Sequence, residues 1–330
     1  FHGGDTRLGP LLYRTREAIG RTIHNFREAE SLLHKPFEWY GKLFLRVTHG
    51  ISRAQEFAAD ALSVQLVGLE PMQTALRRVN EVAPLYEHFV DQEYLPMLNR
   101  GLRPPLTDGF QQFLRSQAIK SLQLRIGEQA MQAKGNPYDT HPPLSLRLAA
   151  AAAVAAPGTA TATAAGPSAL ELLDDVAAAE RDLLVFLTGR DDVAKLPAAG
   201  WEQCGPSLAR EWRRLVAARA AKLPSVRVGE LLRCATELET FGLALDEALP
   251  LDQRRGAGTW FLGVLLADAL VQAGWRLETG PGDPITVVRG DARLEPHHIT
   301  RLVADGKLDA PTWTDTCARH GIQDLPLASP

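Results

Sequence analysis

Cysteine is scarce in this sequence of 330 residues, which contains only three, at positions 204, 234 and 317. Their number is odd and they are widely separated, so no disulfide framework is expected and a reducing compartment is the simpler assumption. Cys317 and His320 form a C-x-x-H pair, but the sequence offers no second pair to complete a tetrahedral zinc site. The cysteines therefore predict buried or incidental thiols.

Long apolar runs and a strong net charge are also missing. No stretch reaches the roughly 18 to 20 apolar residues that a membrane-spanning helix needs. The nearest one, 259–274, contains Asp268 and Gln272, so we predict a core helix. The net charge is -3 and no basic block is interleaved with aromatic residues, so nucleic-acid binding is not expected. With 45% hydrophobic residues, the chain suits one or two globular domains.

A low-complexity segment separates the two halves of the chain. Residues 157–167 read PGTATATAAGP and carry too little side-chain surface to order themselves by burial. We therefore predict a linker at 151–167 between a first region, 1–150, and a second region, 168–330.

Helical patterns dominate both regions, so the predicted fold class is mainly α. Pro142 and Pro143 are predicted to occupy the first positions of one helix, and Thr107 or Asp108 to cap another. The predicted helices cover 11–33, 37–66, 110–132, 169–187, 206–223, 228–241 and 259–274, with further ones beginning at 72–79 and near Pro296 and Pro311. Three short strands, at 275–278, 285–289 and 292–294, predict a small β-meander (275–294) that turns at Gly290-Asp291.

The stretch 51–66 carries the most informative pair of acidic residues. Glu56 and Asp60 lie four residues apart on a predicted helix, so their carboxylates project from one face. Small alanines at 58, 59 and 61 would let a second helix approach closely. Such a pair can present one carboxylate to a metal while the other orients an imidazole. The same spacing is also typical of the exposed face of a surface helix.

Three short segments occur in a fixed order in the first region: FHGGDT at 1–6, SRAQEFAAD at 52–60 and THPPLSLR at 140–147. Together they resemble the M48 family of zinc metalloendopeptidases, which includes the HtpX and Ste24-type CAAX proteases. In that family an H-E-x-x-H helix is followed by an Asp, matched here by Asp5, then by S-R-x-x-E-x-x-A-D, and later by H-P-P and an Arg. The resemblance covers about 1–148 and none of the rest.

The resemblance implies a helical, gluzincin-type fold for the C-terminal part of a protease domain, and roles for four residues. Glu56 would be the third ligand of a Zn²⁺ ion, and Asp60 would hold a ligand imidazole by its free N–H. His141 and Arg147 would lie near the substrate carbonyl, where a donor stabilises the oxyanion. A helix-capping His and a structural Arg ion pair would explain the last two equally well. The reaction implied is hydrolysis of a protein or peptide substrate by zinc-activated water.

The sequence departs from the family in one important respect, because no H-E-x-x-H occurs in these 330 residues. We therefore interpret the chain as a fragment that begins just after that motif, lacks two zinc ligands and the general base, and should neither bind zinc tightly nor cut peptides alone. The resemblance further implies membrane association through segments before Phe1, with this part in the cytoplasm.

Two other hypotheses remain open. The chain would otherwise be a non-catalytic helical interaction or scaffold module that holds a partner through 168–330. The tryptophans there could anchor such a contact, although most are expected in the core; they are Trp201, Trp212, Trp260, Trp275 and Trp313. In the third hypothesis, the C-terminal region binds a peptide or small ligand of its own, with no residue assigned to a site.

Overall fold

The computed structural model of the protein describes residues 34–135, 139, 141–155, 166 and 168–328. Over these residues the secondary structure is mainly helical, with a small antiparallel sheet near the C-terminus, which confirms the predicted fold class. The helix predicted at 11–33 and most of the linker predicted at 151–167 lie outside the described residues.

The chain divides into two compact units. The first unit comprises the described residues of 1–86 and 121–168, and the second comprises 87–120 and the described residues of 169–330. The predicted boundary between 1–150 and 168–330 stays a prediction, since the structure describes only a few residues of the linker.

The first half of the chain is helical from His34 onward. Its helices are α1 (His34–Val67), α2 (Leu69–Phe89), α3 (Leu95–Asn99), α4 (Leu106–Arg115), α5 (Gln117–Gln132) and α6 (Leu144–Val154), with a π-helical turn at Val90–Tyr94. Gly68, with φ of 91°, ends α1 in the left-handed region that a residue with a Cβ rarely adopts. Pro143 stands just before α6 as its N-cap instead of within its first turn.

The second half adds six helices and the sheet among the residues that the structure describes. They are α7 (Val176–Thr188), α8 (Cys204–Arg219), α9 (Leu238–Leu245), α10 (Leu251–Gln272), β1 (Arg276–Glu278), β2 (Thr286–Arg289), β3 (Ala292–Leu294), α11 (Pro296–Ala304) and α12 (Ala310–His320). Short 3₁₀ helices cover Ala169–Leu172, Asp191–Lys195, Trp201–Gln203, Ala220–Lys222 and Val228–Thr236.

Two predicted helices are interrupted. The helix predicted over 110–132 is broken at Ser116, whose ψ of 139° is extended and whose hydroxyl donates to the carbonyl of Gly282 at 2.8 Å. The helix predicted over 228–241 is a 3₁₀ helix as far as Thr236 and becomes α-helical only at Leu238. At Ser116 a tertiary hydrogen bond outweighs helix propensity. Over 228–236 the backbone takes the tighter 3₁₀ turn in place of the α-helical one.

In the first unit, α6 packs against α1. Leu144, Leu148 and Ala151 are spaced to share one face of α6, and all three are buried. Ala151 meets Val64 of α1 and Met72 of α2 in one hydrophobic cluster. This packing places the start of α6 beside the middle of α1.

The core of the second unit surrounds α10. Residues 261–270 of this helix are all buried, as expected for a core helix. Helix α9 crosses α10 closely, because a Cβ at Gly258 would lie 1.7 Å from the carbonyl oxygen of Leu238 and one at Gly242 would lie 2.2 Å from that of Arg254.

The sheet has the order β1-β2-β3, with Leu277 opposite Val287 and Val287 opposite Leu294. These three residues are buried in the core cluster of the second unit. Gly290, with φ of 59°, forms the predicted tight turn between β2 and β3. Across the described ranges, no helix combines the length and apolarity needed to cross a bilayer.

Candidate functional site

The two acidic residues selected from the sequence lie on α1 where α6 packs against it. Glu56 and Asp60 are one turn apart and face the same neighbour. Asp60 is buried at 5% exposure, and the Glu56 side chain is 27% exposed. The pair therefore does not belong to the solvated face of a surface helix.

Arg147, in the first turn of α6, ties the two carboxylates together. Its Nε and one terminal nitrogen donate to the two oxygens of Asp60, at 2.8 and 2.6 Å, in a bidentate pair. Its other terminal nitrogen donates to Glu56 Oε2 at 2.7 Å. Hydrogen bonding to Asp60 raises the pKa of Arg147 above its ordinary value. The guanidinium is thus fully charged and fixed between the two carboxylates.

His141 completes the group from the loop before α6. Its Nδ1 lies 3.1 Å from Glu56 Oε1. Unlike Arg147, it is open to solvent, with 71% of its side chain exposed. The imidazole therefore has one nitrogen engaged by Glu56 while its ring stays accessible to a molecule arriving from solvent.

Arg53 fixes the loop that carries His141, a contact that sequence reasoning missed. It lies on α1 one turn before Glu56, and its guanidinium donates to the backbone carbonyl of Asp139 at 2.9 Å. Its place in S-R-x-x-E-x-x-A-D was the only sequence signal for this contact, since an arginine on a helix has many structural uses.

The structure therefore brings together all four residues that the sequence singled out, Glu56, Asp60, His141 and Arg147, through contacts that span 85 to 91 positions of chain. Asp5, which matches the Asp that follows H-E-x-x-H in the family, lies outside the described residues. Counting formal charges with His141 neutral, two carboxylates face one guanidinium, which leaves one surplus negative charge. That surplus suits a cation.

The described residues do not make a zinc site by themselves. Among them, no group of three or more His, Cys, Asp or Glu is arranged to hold a metal ion. Glu56 supplies one carboxylate, whose two oxygens already meet Arg147 and His141 but keep unused lone pairs. One ligand is too few for a catalytic zinc centre, which takes three from the protein.

No protein-family model, curated protein or solved structure matches this chain. The family resemblance therefore rests on the motif residues and on their contacts.

Proposed function

We propose that this chain supplies one metal ligand and its supporting residues to a zinc-dependent endopeptidase of the M48 type, which hydrolyses protein substrates. The observation that carries the proposal is the contact between two distant motifs, since Glu56 and Asp60 meet His141 and Arg147. Short motifs often match by chance, but chance matches have no reason to converge in space. Membrane association through segments outside these 330 residues is part of the same proposal.

In this proposal Glu56 is the metal ligand, held in orientation by two neighbours. Arg147 and His141 each take one of its oxygens, so the carboxylate has little freedom to rotate. Fixing a ligand through a second layer of hydrogen bonds strengthens metal binding. The other two ligands and the general base must come from an H-E-x-x-H helix outside the 330 residues, and we assign no catalytic step to this chain alone.

His141 and Arg147 receive different roles. The guanidinium of Arg147 donates to Glu56 and to both oxygens of Asp60, which makes it a positioning residue. His141 is exposed and adjoins Glu56, so it is the better placed of the two to donate to a substrate carbonyl.

One observation favours the alternative, a non-catalytic helical module related to the protease. Both oxygens of Glu56 have partners within the chain, as expected of an ion-pair network that only joins α1 to α6. The two hypotheses make different predictions: replacing Glu56 lowers the zinc content of the complete protein only if Glu56 is a metal ligand.

The decisive experiment measures zinc content and casein hydrolysis in the complete protein and two variants. Glu56→Gln keeps the shape of the side chain and removes the charge, so we expect loss of zinc and a fall in activity of about 100-fold or more. Glu128→Gln is the matched control, because Glu128 is an exposed carboxylate on α5 of the same unit. It should leave both quantities unchanged.

Two results would overturn the proposal. The first is a complete protein whose remaining sequence contains no H-E-x-x-H. The second is a Glu56→Gln protein that keeps its zinc and its activity, which would favour the non-catalytic module.

A further inference from the structure

The second unit contains a cavity of about 550 Å³ that the peptidase proposal does not use. It lies among α3, α8, α10, α11 and the loop between β1 and β2. Its volume falls in the range of small-molecule sites, roughly 300 to 1,000 Å³. Sequence reasoning assigned no residue in this region to a site.

One face of α8 lines the cavity, and the residues on this face give an estimate of how long the cavity is. Cys204, Leu208, Glu211 and Trp212 line it, and their spacing is that of a single helix face. Cys204 and Trp212 are eight residues apart, or about 12 Å along the helix axis. The cavity is therefore elongated, with one end near Cys204 and the other near Trp212.

The end near Cys204 is acidic. Glu93 Oε1 accepts from the backbone N–H of Gly282 at 3.4 Å, and the next residue, Asp283, also lines the cavity. Burial raises the pKa of Glu93 to about 7, and the charge of Asp283 adds to that effect. Burial also raises the pKa of Cys204 to about 11, so its thiol is neutral and a poor nucleophile. This end suits binding of a cation better than thiol chemistry.

The end near Trp212 is aromatic. The His297 ring stacks on Trp260, with centroids 6.1 Å apart and planes 20° apart, and meets the buried Trp212 edge-on at 5.3 Å. Trp260 is 44% exposed, so part of its indole can receive a ligand. Burial, together with the nearby charge of Arg301, lowers the pKa of His297 to about 4, so the imidazole itself is uncharged at neutral pH.

The charges around the cavity favour a positively charged ligand. Four carboxylates line it against two arginines, so with both histidines neutral the lining is net negative. One of the arginines, Arg100, is already paired with Glu211. A carboxylate opposite an indole surface is a common way to hold an organic ammonium ion, through charge at one end and cation–π or stacking contacts at the other.

We propose that this cavity binds a small arylalkylamine, with its ammonium group at Glu93 and Asp283 and its ring against Trp260. The length of the cavity accommodates a ring, a short aliphatic spacer and an amine in line. This inference concerns only the second unit and does not depend on the peptidase proposal.

The test compares three probes of similar shape and different charge by calorimetric titration of the full chain at pH 8: tyramine, 4-ethylphenol and 3-(4-hydroxyphenyl)propionate. We expect tyramine to bind at least about tenfold more tightly than 4-ethylphenol. The anionic propionate should bind weakest, because it meets the carboxylates.

Three variants locate the binding. Glu93→Gln should weaken tyramine about tenfold and leave 4-ethylphenol unchanged, since it removes only the charge. Trp260→Ala should weaken both compounds, and its partial exposure makes misfolding from this change unexpected. Glu239→Gln, an exposed carboxylate on α9, is the control and should change neither affinity.

The proposal is overturned if tyramine shows no binding up to about 10 mM, if the neutral or anionic probe binds as tightly, or if Glu93→Gln leaves the affinity for tyramine intact. Circular dichroism of each variant separates a local effect from loss of fold.

Discussion

At the scale of single residues, the first unit depends on Arg147. Its side chain is 15% exposed and donates both of the hydrogen bonds that the buried carboxylate of Asp60 accepts within the described part of the chain. Burial of a carboxylate is tolerable only when such partners replace water. The same guanidinium also pairs with Glu56. Arg147 therefore both stabilises the first unit and belongs to the candidate site.

We expect Arg147→Met to destabilise the first unit by about 2 to 4 kcal/mol, because Asp60 would stay buried without its donors. The matched change Arg125→Met, at an exposed position on α5, should alter stability by about 0.5 kcal/mol or less. Hydrogen exchange of residues 144–154, followed by mass spectrometry, measures the effect.

A double variant checks the cause. Replacing Asp60 by Asn in the Arg147→Met background should recover part of the loss, since the unpaired charge is then gone. Strictly additive effects of the two changes would contradict this account.

Glu93 gives the second unit a pH-dependent stability. The native pKa of about 7 exceeds the ordinary value of 4.5, so the folded state binds the proton more tightly than the unfolded chain. The contribution of this group to the free energy of unfolding is therefore fully present below pH 4.5, and it is lost as the pH rises through about 7. The largest possible loss is about 3 kcal/mol.

We expect Glu93→Gln to be nearly neutral at pH 4.5 and to stabilise the second unit by about 1 to 3 kcal/mol at pH 8. Urea denaturation followed by tryptophan fluorescence at the two pH values measures the difference. Acid destabilisation from His297, whose pKa is about 4, is common to both proteins and cancels. An equal effect of the substitution at both pH values would show that the charge of Glu93 is not responsible.

At the scale of elements, two glycines of α10 differ in how much space surrounds them. Gly258 lies where the backbone of α9 crosses, so an added Cβ would meet the carbonyl oxygen of Leu238. At Gly256, two residues earlier, no other described part of the chain comes within 4 Å of the position of a Cβ, apart from its own helix. The effect of a substitution on stability should therefore depend only on helix propensity at Gly256, and on packing against α9 at Gly258.

We therefore expect Gly258→Ala to destabilise the protein by about 3 kcal/mol or more, because a backbone obstacle cannot rotate away. Gly256→Ala should stabilise it by about 0.5 to 1 kcal/mol, through helix propensity. Equilibrium denaturation of both variants gives the comparison, and similar values for the two would refute the close crossing.

The start of α4 illustrates a contact that no local pattern encodes. The helix begins at Leu106, so the predicted caps, Thr107 and Asp108, fall inside its first turn. Glu180 of α7 replaces them, with its carboxylate accepting from the backbone N–H groups of Leu106 and Thr107 at 3.2 and 2.7 Å. A carboxylate at a helix N-terminus also interacts favourably with the helix dipole.

At the scale of the whole molecule, the second unit is discontinuous in sequence. It draws on 87–120 as well as on residues after 168. Phe89, Tyr94 and Phe113 are almost fully buried, and the rings of Phe89 and Tyr94 lie 5.8 and 6.0 Å from the ring of Trp201. The segment 87–120 thus completes a hydrophobic layer that the C-terminal residues cannot form alone.

We expect a chain restricted to 168–330 to be less stable than the second unit of the full protein by about 3 kcal/mol or more, since Trp201 loses its aromatic partners. Its urea midpoint should fall and its tryptophan emission should shift to the red. A chain of 87–330 should restore both. An unchanged midpoint for 168–330 would show that the earlier segment contributes nothing to this core.

The sequence alone determined the mainly helical class and the short meander, because these depend on local periodicity and turn chemistry. The four residues of the candidate site were selected through the family resemblance. The sequence also indicated a core helix over 259–274, since this stretch is mostly apolar but too short, and interrupted by Asp268 and Gln272, to span a membrane. Only the tertiary structure decided that Asp60 pairs with Arg147, that Glu180 caps α4, and that Glu93 and Trp260 line one cavity. Each of these arrangements brings together residues that are more than 70 positions apart, and their energies come from burial and geometry that local sequence does not encode.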